Sequence, residues 1–228
     1  MNEWYLKGLK FAPTYWTGFF KNKEIKEIFS REGIVFGKPF PLRPYLGALI
    51  GDKKEVDIAD IGSGAITLIG HTWNGTKINV YPSDILADSF KEILARFNII
   101  PVVPVEKQDM AKFTYLDNSF DIVYCSNALD HTIDPGPAIK ELIRICKSGG
   151  YVYLRHARNE GKKEKYRNLH HWNICPTKEG DCLFWEKERK EDFLLSSINS
   201  RFTTEYKKDW NGYNGWDGEN RVISILKK

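Results

Sequence analysis

Val56-Asp57-Ile58-Ala59-Asp60-Ile61-Gly62-Ser63-Gly64-Ala65-Ile66-Thr67-Leu68-Ile69-Gly70, residues 56–70, is the stretch on which the fold of this chain turns. An apolar, β-branched run with acids at 57 and 60 breaks on paired glycines and resumes as apolar sequence through Ile69. That pattern predicts a buried strand, a tight turn and then a helix. Glycine lets the N–H groups of the turn approach a ligand closely, because no Cβ intervenes. A helix starting there presents unpaired N–H donors and the positive end of its dipole. In an α/β sheet, nucleotide-like ligands bind at this place, outside the carboxyl end of the first strand.

Downstream, strand and helix alternate. Lys77–Tyr81 reads as a second strand, Ile85–Phe97 as a helix, Pro101–Glu106 as a third strand and Phe120–Ser126 as a fourth. Pro137–Cys146 reads as a helix stopped by Ser148-Gly149-Gly150, and Tyr151–His156 as a fifth strand. Such alternation implies a parallel sheet with right-handed crossovers. From 157 to 186 the sequence is polar and loop-like, with His170-His171-Trp172 in its middle. Cys182–Glu186 is a candidate short strand there, and a helix is expected over Lys187–Ile198. Phe202–Tyr206 and Arg221–Leu226 alternate, and the Trp-rich stretch between them carries Gly212, Gly215 and Gly218, so they predict a closing antiparallel pair.

Upstream, residues 1–51 are set apart as an aromatic helical cap on a domain of residues 52–228. Trp4, Tyr5, Phe11, Tyr15, Trp16, Phe19 and Phe20 crowd the first twenty positions. A helix is expected over Lys21–Arg31, with Ile25, Ile28 and Phe29 on one face. Pro39, Pro41 and Pro44 predict an extended linker, and Tyr45–Ile50 a short helix. The aromatics suit either a core packed on the sheet or a lid over the ligand.

At 228 residues, 42% apolar and 28% charged, the chain has the makeup of a soluble globular protein. Thirty-four basic against 30 acidic residues leave +4, a small and scattered excess that does not point to nucleic acid. Lys162, Lys163, Lys165 and Arg167 read as a solvated loop. No stretch has the length of a membrane span, and the start of the chain is not signal-like. Cys125, Cys146, Cys175 and Cys182 form no C-x-x-C pair, so free thiols and a cytoplasmic location are expected.

A dinucleotide motif would have glycine at the position of Thr67, and no G-K-[ST] follows the strand to make a phosphate loop. The strand ends are more informative. Asp84, next to Ile85, lies twenty residues after Gly64, where a carboxylate accepts both hydroxyls of a ribose. Asp109-Met110 after the third strand suits an adenine amino group and ring face, and Asn127 ends the fourth strand. With Asp60-Ile61-Gly62-Ser63-Gly64, Asp117-Asn118-Ser119-Phe120-Asp121-Ile122-Val123 and Leu142-Ile143-Arg144-Ile145-Cys146-Lys147-Ser148-Gly149-Gly150-Tyr151, the chain resembles the class I S-adenosylmethionine-dependent methyltransferases from about Val56 to Leu154. It departs from them at Ala65-Ile66-Thr67, after the glycines, and at Ser148, where proline is usual. The resemblance implies a Rossmann-like α/β fold: a mostly parallel seven-stranded sheet with a terminal antiparallel strand and helices on both faces. It implies S-adenosylmethionine as cofactor, held by Asp60, Gly62, Ser63, Gly64, Asp84, Ile85, Asp109, Met110 and Asn127.

Transfer to an alcohol needs a base, and two histidines are candidates. His131 lies past the fourth strand and His156 ends the fifth, with Asp130 and Asp134 placed to orient a histidine. Asp130, Asp134 and His156 show no recognised metal spacing, and His170-His171 with Cys175 and Cys182 is irregular, so no metal is expected. Tyr15, Trp16, His170, His171 and Trp172 are the candidate acceptor contacts; Trp172 and Trp185 suit a sugar face or a core equally. The expected function is O-methylation of a small polar acceptor, a sugar or glycan building block, which would belong to carbohydrate biosynthesis. N-methylation of a small amine and a non-catalytic binding protein that keeps the cofactor fold stay open as alternatives, as does the oligomeric state.

Overall fold

The computed structural model describes residues 3–31, 33–209 and 219–228. At its centre β1 (Glu55–Ile61) runs parallel to β2 (Lys77–Asp84) and β4 (Phe120–Ser126). Short β3 (Glu106–Lys107) adds to β2, and β5 (Cys146–Ala157) to β4. β10 (Glu219–Lys227) then runs antiparallel to both β5 and β9 (Thr203–Asp209). The order is β3-β2-β1-β4-β5-β10-β9, the expected mostly parallel seven-stranded sheet with its antiparallel closure. The connection with Gly212, Gly215 and Gly218, like the side chains of Ile25 and Ile28, lies outside the described residues.

Side chains alternate across the sheet, and each face has its own apolar cluster. Ala59, Val123, Cys125, Val152 and Leu154 pack on one face under α5 (Pro135–Ile145), which contributes Ala138, Ile139 and Leu142. Val56, Ile58, Ile122 and Ile223 pack on the other, covered by Leu42, Leu46 and Ile50 around α3 (Pro44–Gly47). In a third cluster α1 (Glu3–Lys21) and α2 (Lys23–Arg31) bury Phe19, Phe20 and Phe29 against Phe90, Ile93 and Leu94 of α4 (Ala87–Arg96). Full burial of such a ring contributes about 1.5–3 kcal/mol, so residues 3–31 dock firmly.

Several elements differ from the expectation. No helix follows Gly64: only five residues separate it from Gly70, both glycines have positive φ, and a Cβ on Gly70 would stand 2.2 Å from the Pro41 carbonyl. A helix that short does not sustain itself. Leu42 and Arg43 instead donate to the Thr72 and Ile69 carbonyls, and α1 packs where the helix was expected. The α1 helix falls within the expected helical cap, but its span was not assigned, because Pro13 and two glycines interrupt its sequence; a proline there forfeits one helical hydrogen bond. The strand expected at 101–106 shrinks to β3, since Pro101 and Pro104 have no N–H to give a ladder.

Around 187–198 the Glu186 carboxylate accepts the N–H groups of Glu188 (2.6 Å) and Lys190 (2.7 Å), diverting the backbone into a turn. The chain there forms β8 (Phe193–Leu194) and a single 3₁₀ turn rather than the expected helix. β6 (Asn173–Pro176), β7 (Cys182–Trp185) and β8 make a small antiparallel sheet inside what reads as a loop. Between α5 and the straight run of β5, Gly149 (φ 76°) lies in a bulge rather than at a helix end.

Candidate active site

The carboxyl ends of β1, β2, β4 and β5 open into a cleft of about 1930 Å³. Ordinary ligand pockets run to about 300–1,000 Å³, so this one has room for two partners side by side. Asp60, Gly62, Ser63, Gly64, Asp84, Ile85, Asp109, Met110 and Asn127 all line it, along with His131, His170, Tyr15 and Trp16.

On the β1–β2 side the turn is held from behind. The N–H groups of Gly62 and Ser63 donate to the Ser83 carbonyl at 2.8 and 3.1 Å. The Asp84 carboxylate accepts from Gly64 N (3.1 Å) and Leu86 N (2.9 Å), tying the first turn to the second. Gly62 and Gly64 have φ near +70°, and a Cβ would stand 2.4 Å from Ala128 Cβ and 2.0 Å from the Trp16 ring, respectively. Asp60 is buried and accepts from Thr67 Oγ1 at 2.6 Å. Burial pushes its carboxyl up to about 7; the Thr67 hydroxyl opposes the shift and the Asp84 charge adds to it. Burial raises Asp84 as well, against the two N–H groups it accepts. Two desolvated carboxyls at the head of a glycine turn fit a ligand with an ammonium and ribose hydroxyls. Asp109 is exposed and accepts from Ala111 N at 2.9 Å. Asn127, in the left-handed region (φ 48°), accepts from Ala157 N and Arg221, so it also braces β4 against β5 and β10.

The opposite side is assembled from distant segments. Leu129–His131 is a 3₁₀ turn after β4, and the Asp130 carbonyl accepts from His171 N (3.1 Å) and Trp172 N (3.2 Å), latching the 157–172 insert to that turn. The latch brings His170 Nδ1 to 2.8 Å from Asp130 Oδ2 and 3.2 Å from His131 Nε2; His131 Nε2 lies 3.3 Å from the same carboxylate oxygen. Burial pushes the Asp130 carboxyl up, but the histidines around it prevail and hold it near 2, ionised. His131 is shifted down by burial against the pull of Asp130, whereas at His170 the Asp130 carboxylate outweighs burial and the shift is upward.

Three sequence candidates sit elsewhere. His156 is buried and does not line the cleft, neither ring nitrogen is hydrogen-bonded among the described residues, and burial lowers it to about 4. Trp172 is a core residue, 1% exposed, its indole donating to the Ile133 carbonyl at 3.3 Å, so it is not an acceptor wall. His171 stacks on Trp4 at 4.2 Å instead of facing the cleft. Asp134 caps α5 by accepting from Gly136 N, and neither orients a histidine nor joins one at a metal. Overlooked in the sequence were Leu9 and Ala12, which line the cleft with Tyr5 and Trp16 at helical spacing, and Arg43, Tyr45 and Arg155, which line it too. The 5-9-12-16 period was the available signal, obscured by Pro13.

Residues 59–154 match a family model described as a methyltransferase domain. The chain is 33% identical over 114 residues to an uncharacterized methyltransferase of Schizosaccharomyces pombe (46% of this chain, 41% of the relative). It is 26% identical over 119 residues to a ubiquinone biosynthesis O-methyltransferase of Nitrosomonas europaea (50% and 49%). The alignments thus span less than half the length of these curated relatives. Among solved structures, a candidate methyltransferase in complex with the Haloferax volcanii Trm112 methyltransferase activator superposes with TM-score 0.52 at 12% identity, covering 92% of this chain and 95% of its own. The trans-methyltransferase CalH in complex with S-adenosylhomocysteine superposes with TM-score 0.53 at 16% identity, over 80% and 54%. Sheet order, glycine turn and family match agree: residues 59–154 form a methyltransferase domain of the class I, S-adenosylmethionine-dependent kind.

Proposed function

We propose that the chain transfers a methyl group from S-adenosylmethionine to a hydroxyl of a small polar acceptor, a sugar or similar building block. The observation that carries this reading is one continuous cleft lined by Asp60 and Asp84 on one side and, on the other, by His131 and His170, which share the buried Asp130 carboxylate. Bound cofactor supplies the methyl as a sulfonium; the chain holds the acceptor oxygen in line with it and removes the hydroxyl proton. The cluster, through His131 and His170, is suited to that proton or to the oxygen that loses it, whereas His156 does not line the cleft. Polar groups of both signs on the acceptor side (Glu160, Lys163, Arg167, Asn168) and the rings of Tyr5 and Tyr15 suit a hydroxylated, uncharged acceptor. The O-methyltransferase among the relatives supports attack by oxygen. Amine N-methylation is the second reading, because Glu160 and Glu164 on the same wall would hold an ammonium.

Calorimetry with S-adenosylmethionine and with NAD, followed by a panel of hydroxylated and amine acceptors, tests the reading. Binding of S-adenosylmethionine alone and turnover of hydroxylated acceptors are expected. His131→Ala should keep cofactor affinity within about twofold and lose turnover. NAD binding without S-adenosylmethionine binding would sink the reading, and methylation of amines only would replace it by the second.

A further inference from the structure

Asp130, His131 and His170 bring one carboxylate oxygen and two ring nitrogens together in a small triangle. Their separations are 2.8, 3.2 and 3.3 Å. Two neighbouring ligands of a tetrahedral or octahedral divalent ion, with bonds of about 2.0–2.2 Å, stand roughly 2.8–3.6 Å apart, so the triangle has the size that one ion imposes. Hydrogen bonding satisfies it poorly. His170 Nδ1 carries at most one proton, and it faces both the Asp130 carboxylate and a second imidazole nitrogen. If His131 Nε2 is also protonated, two N–H groups 3.2 Å apart compete for one carboxylate oxygen; if it is not, one proton is shared between two acceptor atoms. A cation meets all three lone pairs at once.

The surroundings agree. The Asp130 carboxylate is 4% exposed, and a buried anion in an apolar core calls for a positive partner. No Lys or Arg bridges to it among the described residues; its ion-pair partners there are the two histidines. The backbone latch from Asp130 to His171 and Trp172 fixes the insert, so His170 is placed without the ion. His131 and His170 both line the cleft, which leaves the remaining coordination positions facing the acceptor side.

We propose that Asp130, His131 and His170 form a two-histidine, one-carboxylate site for a divalent transition ion, open to the cleft. Two imidazoles favour zinc, manganese, iron(II) or cobalt over magnesium. In the methyl-transfer reading, on which this last role alone rests, the ion would take the acceptor oxygen as a further ligand and lower its pKa, so that the hydroxyl proton can pass to water in the cleft instead of to a side chain.

Metal binding is measured without cofactor or acceptor, so its outcome is separate from that of the methyltransferase reading. Metal-free protein is titrated with Zn²⁺ and Mn²⁺ by calorimetry and with Co²⁺ by visible absorption. One ion per chain is expected, with the absorption of a nitrogen- and oxygen-ligated cobalt. His131→Ala and His170→Ala, each checked for an unchanged thermal melt, should weaken it at least about 100-fold. His171→Ala, one residue from a ligand but stacked on Trp4, should bind as the wild type does. Absence of stoichiometric binding in the wild type, or binding that survives both substitutions, would overturn the site.

Discussion

The two sides of the cleft are built by different means. The β1–β2 side is a product of the sheet: consecutive strands end at one level, and the groups that face the ligand are within a few residues of a strand end. Its turn is cross-braced by hydrogen bonds from Gly62, Ser63 and Gly64 to Ser83 and Asp84. The acceptor side has no such frame. It brings together α1, the 3₁₀ turn at 129–131 and the 157–172 insert, held by the Asp130 carbonyl, the Trp4–His171 stack and the close approach of Gly8 to Leu169. A sheet fixes position through a repetitive ladder that tolerates many side chains. A wall assembled from separate segments depends on a few particular contacts, so one fold can keep its cofactor while its acceptor changes.

The two sides meet at Trp16 on Gly64, and breaking that seam should have the largest effect. Gly64→Ala places a methyl 2.0 Å from the Trp16 ring, which Phe19, Phe20 and Phe90 hold in place, and it forces alanine to φ +71°. Overpacking costs about 1–3 kcal/mol and the left-handed backbone about 1–2, so urea unfolding should show a loss of about 2–5 kcal/mol. In a Trp16→Ala background, Gly64→Ala should cost only the backbone part. Simple additivity of the two changes would mean that lid and turn are independent.

The second effect sharpens the cofactor side by pH. An Asp60 carboxyl held near 7 binds its proton more tightly folded than unfolded, so its contribution to stability falls as pH rises from about 4 to 7, by at most about 1.4 kcal/mol per unit. Asp60→Asn should remove that slope from melts of the cofactor-free protein. A ligand ammonium favours the ionised carboxylate, so affinity for S-adenosylhomocysteine should drop by up to about tenfold per unit below pH 7 and level off above it. Calorimetry in buffers of different ionisation enthalpy should show a proton released on binding at pH 6. A pH-independent affinity would exclude Asp60 from contact with that ammonium.

The same contrast governs what could be read from the chain. The strand ends were legible because each is a local pattern: a β-branched run, a break, an acid, as at Asp60, Asp84 and Asp109. Asp130 and His131 were legible as residues, but their partnership with His170, forty positions away, is created by the latch and has no period or spacing to betray it. Trp172 reads equally as a sugar platform or as core, and only its burial beneath the small sheet decides. The missing helix after Gly64 shows the limit of propensity. Apolar residues 65–69 suit a helix or a strand, and the N-terminal segment, absent from any local window, claims their surface.

The smallest effect tests whether the acceptor side is as weakly framed as this contrast implies. Trp4 stacks on His171 at 4.2 Å with planes 9° apart, the outermost tie between α1 and the insert. Such a pair is worth about 0.5–1.5 kcal/mol, too little to unfold the chain but enough to change how often α1 lifts. Trp4→Ala should therefore speed amide exchange in the first turns of α1 by about two- to tenfold. Exchange in β1 and β2, and affinity for S-adenosylhomocysteine, should stay unchanged. Faster exchange confined to residues 3–9 would separate the lid from the sheet energetically. An equal rise in β1 would mean that lid and cofactor turn open as one unit, and the two sides of the cleft would no longer be distinct in their dynamics.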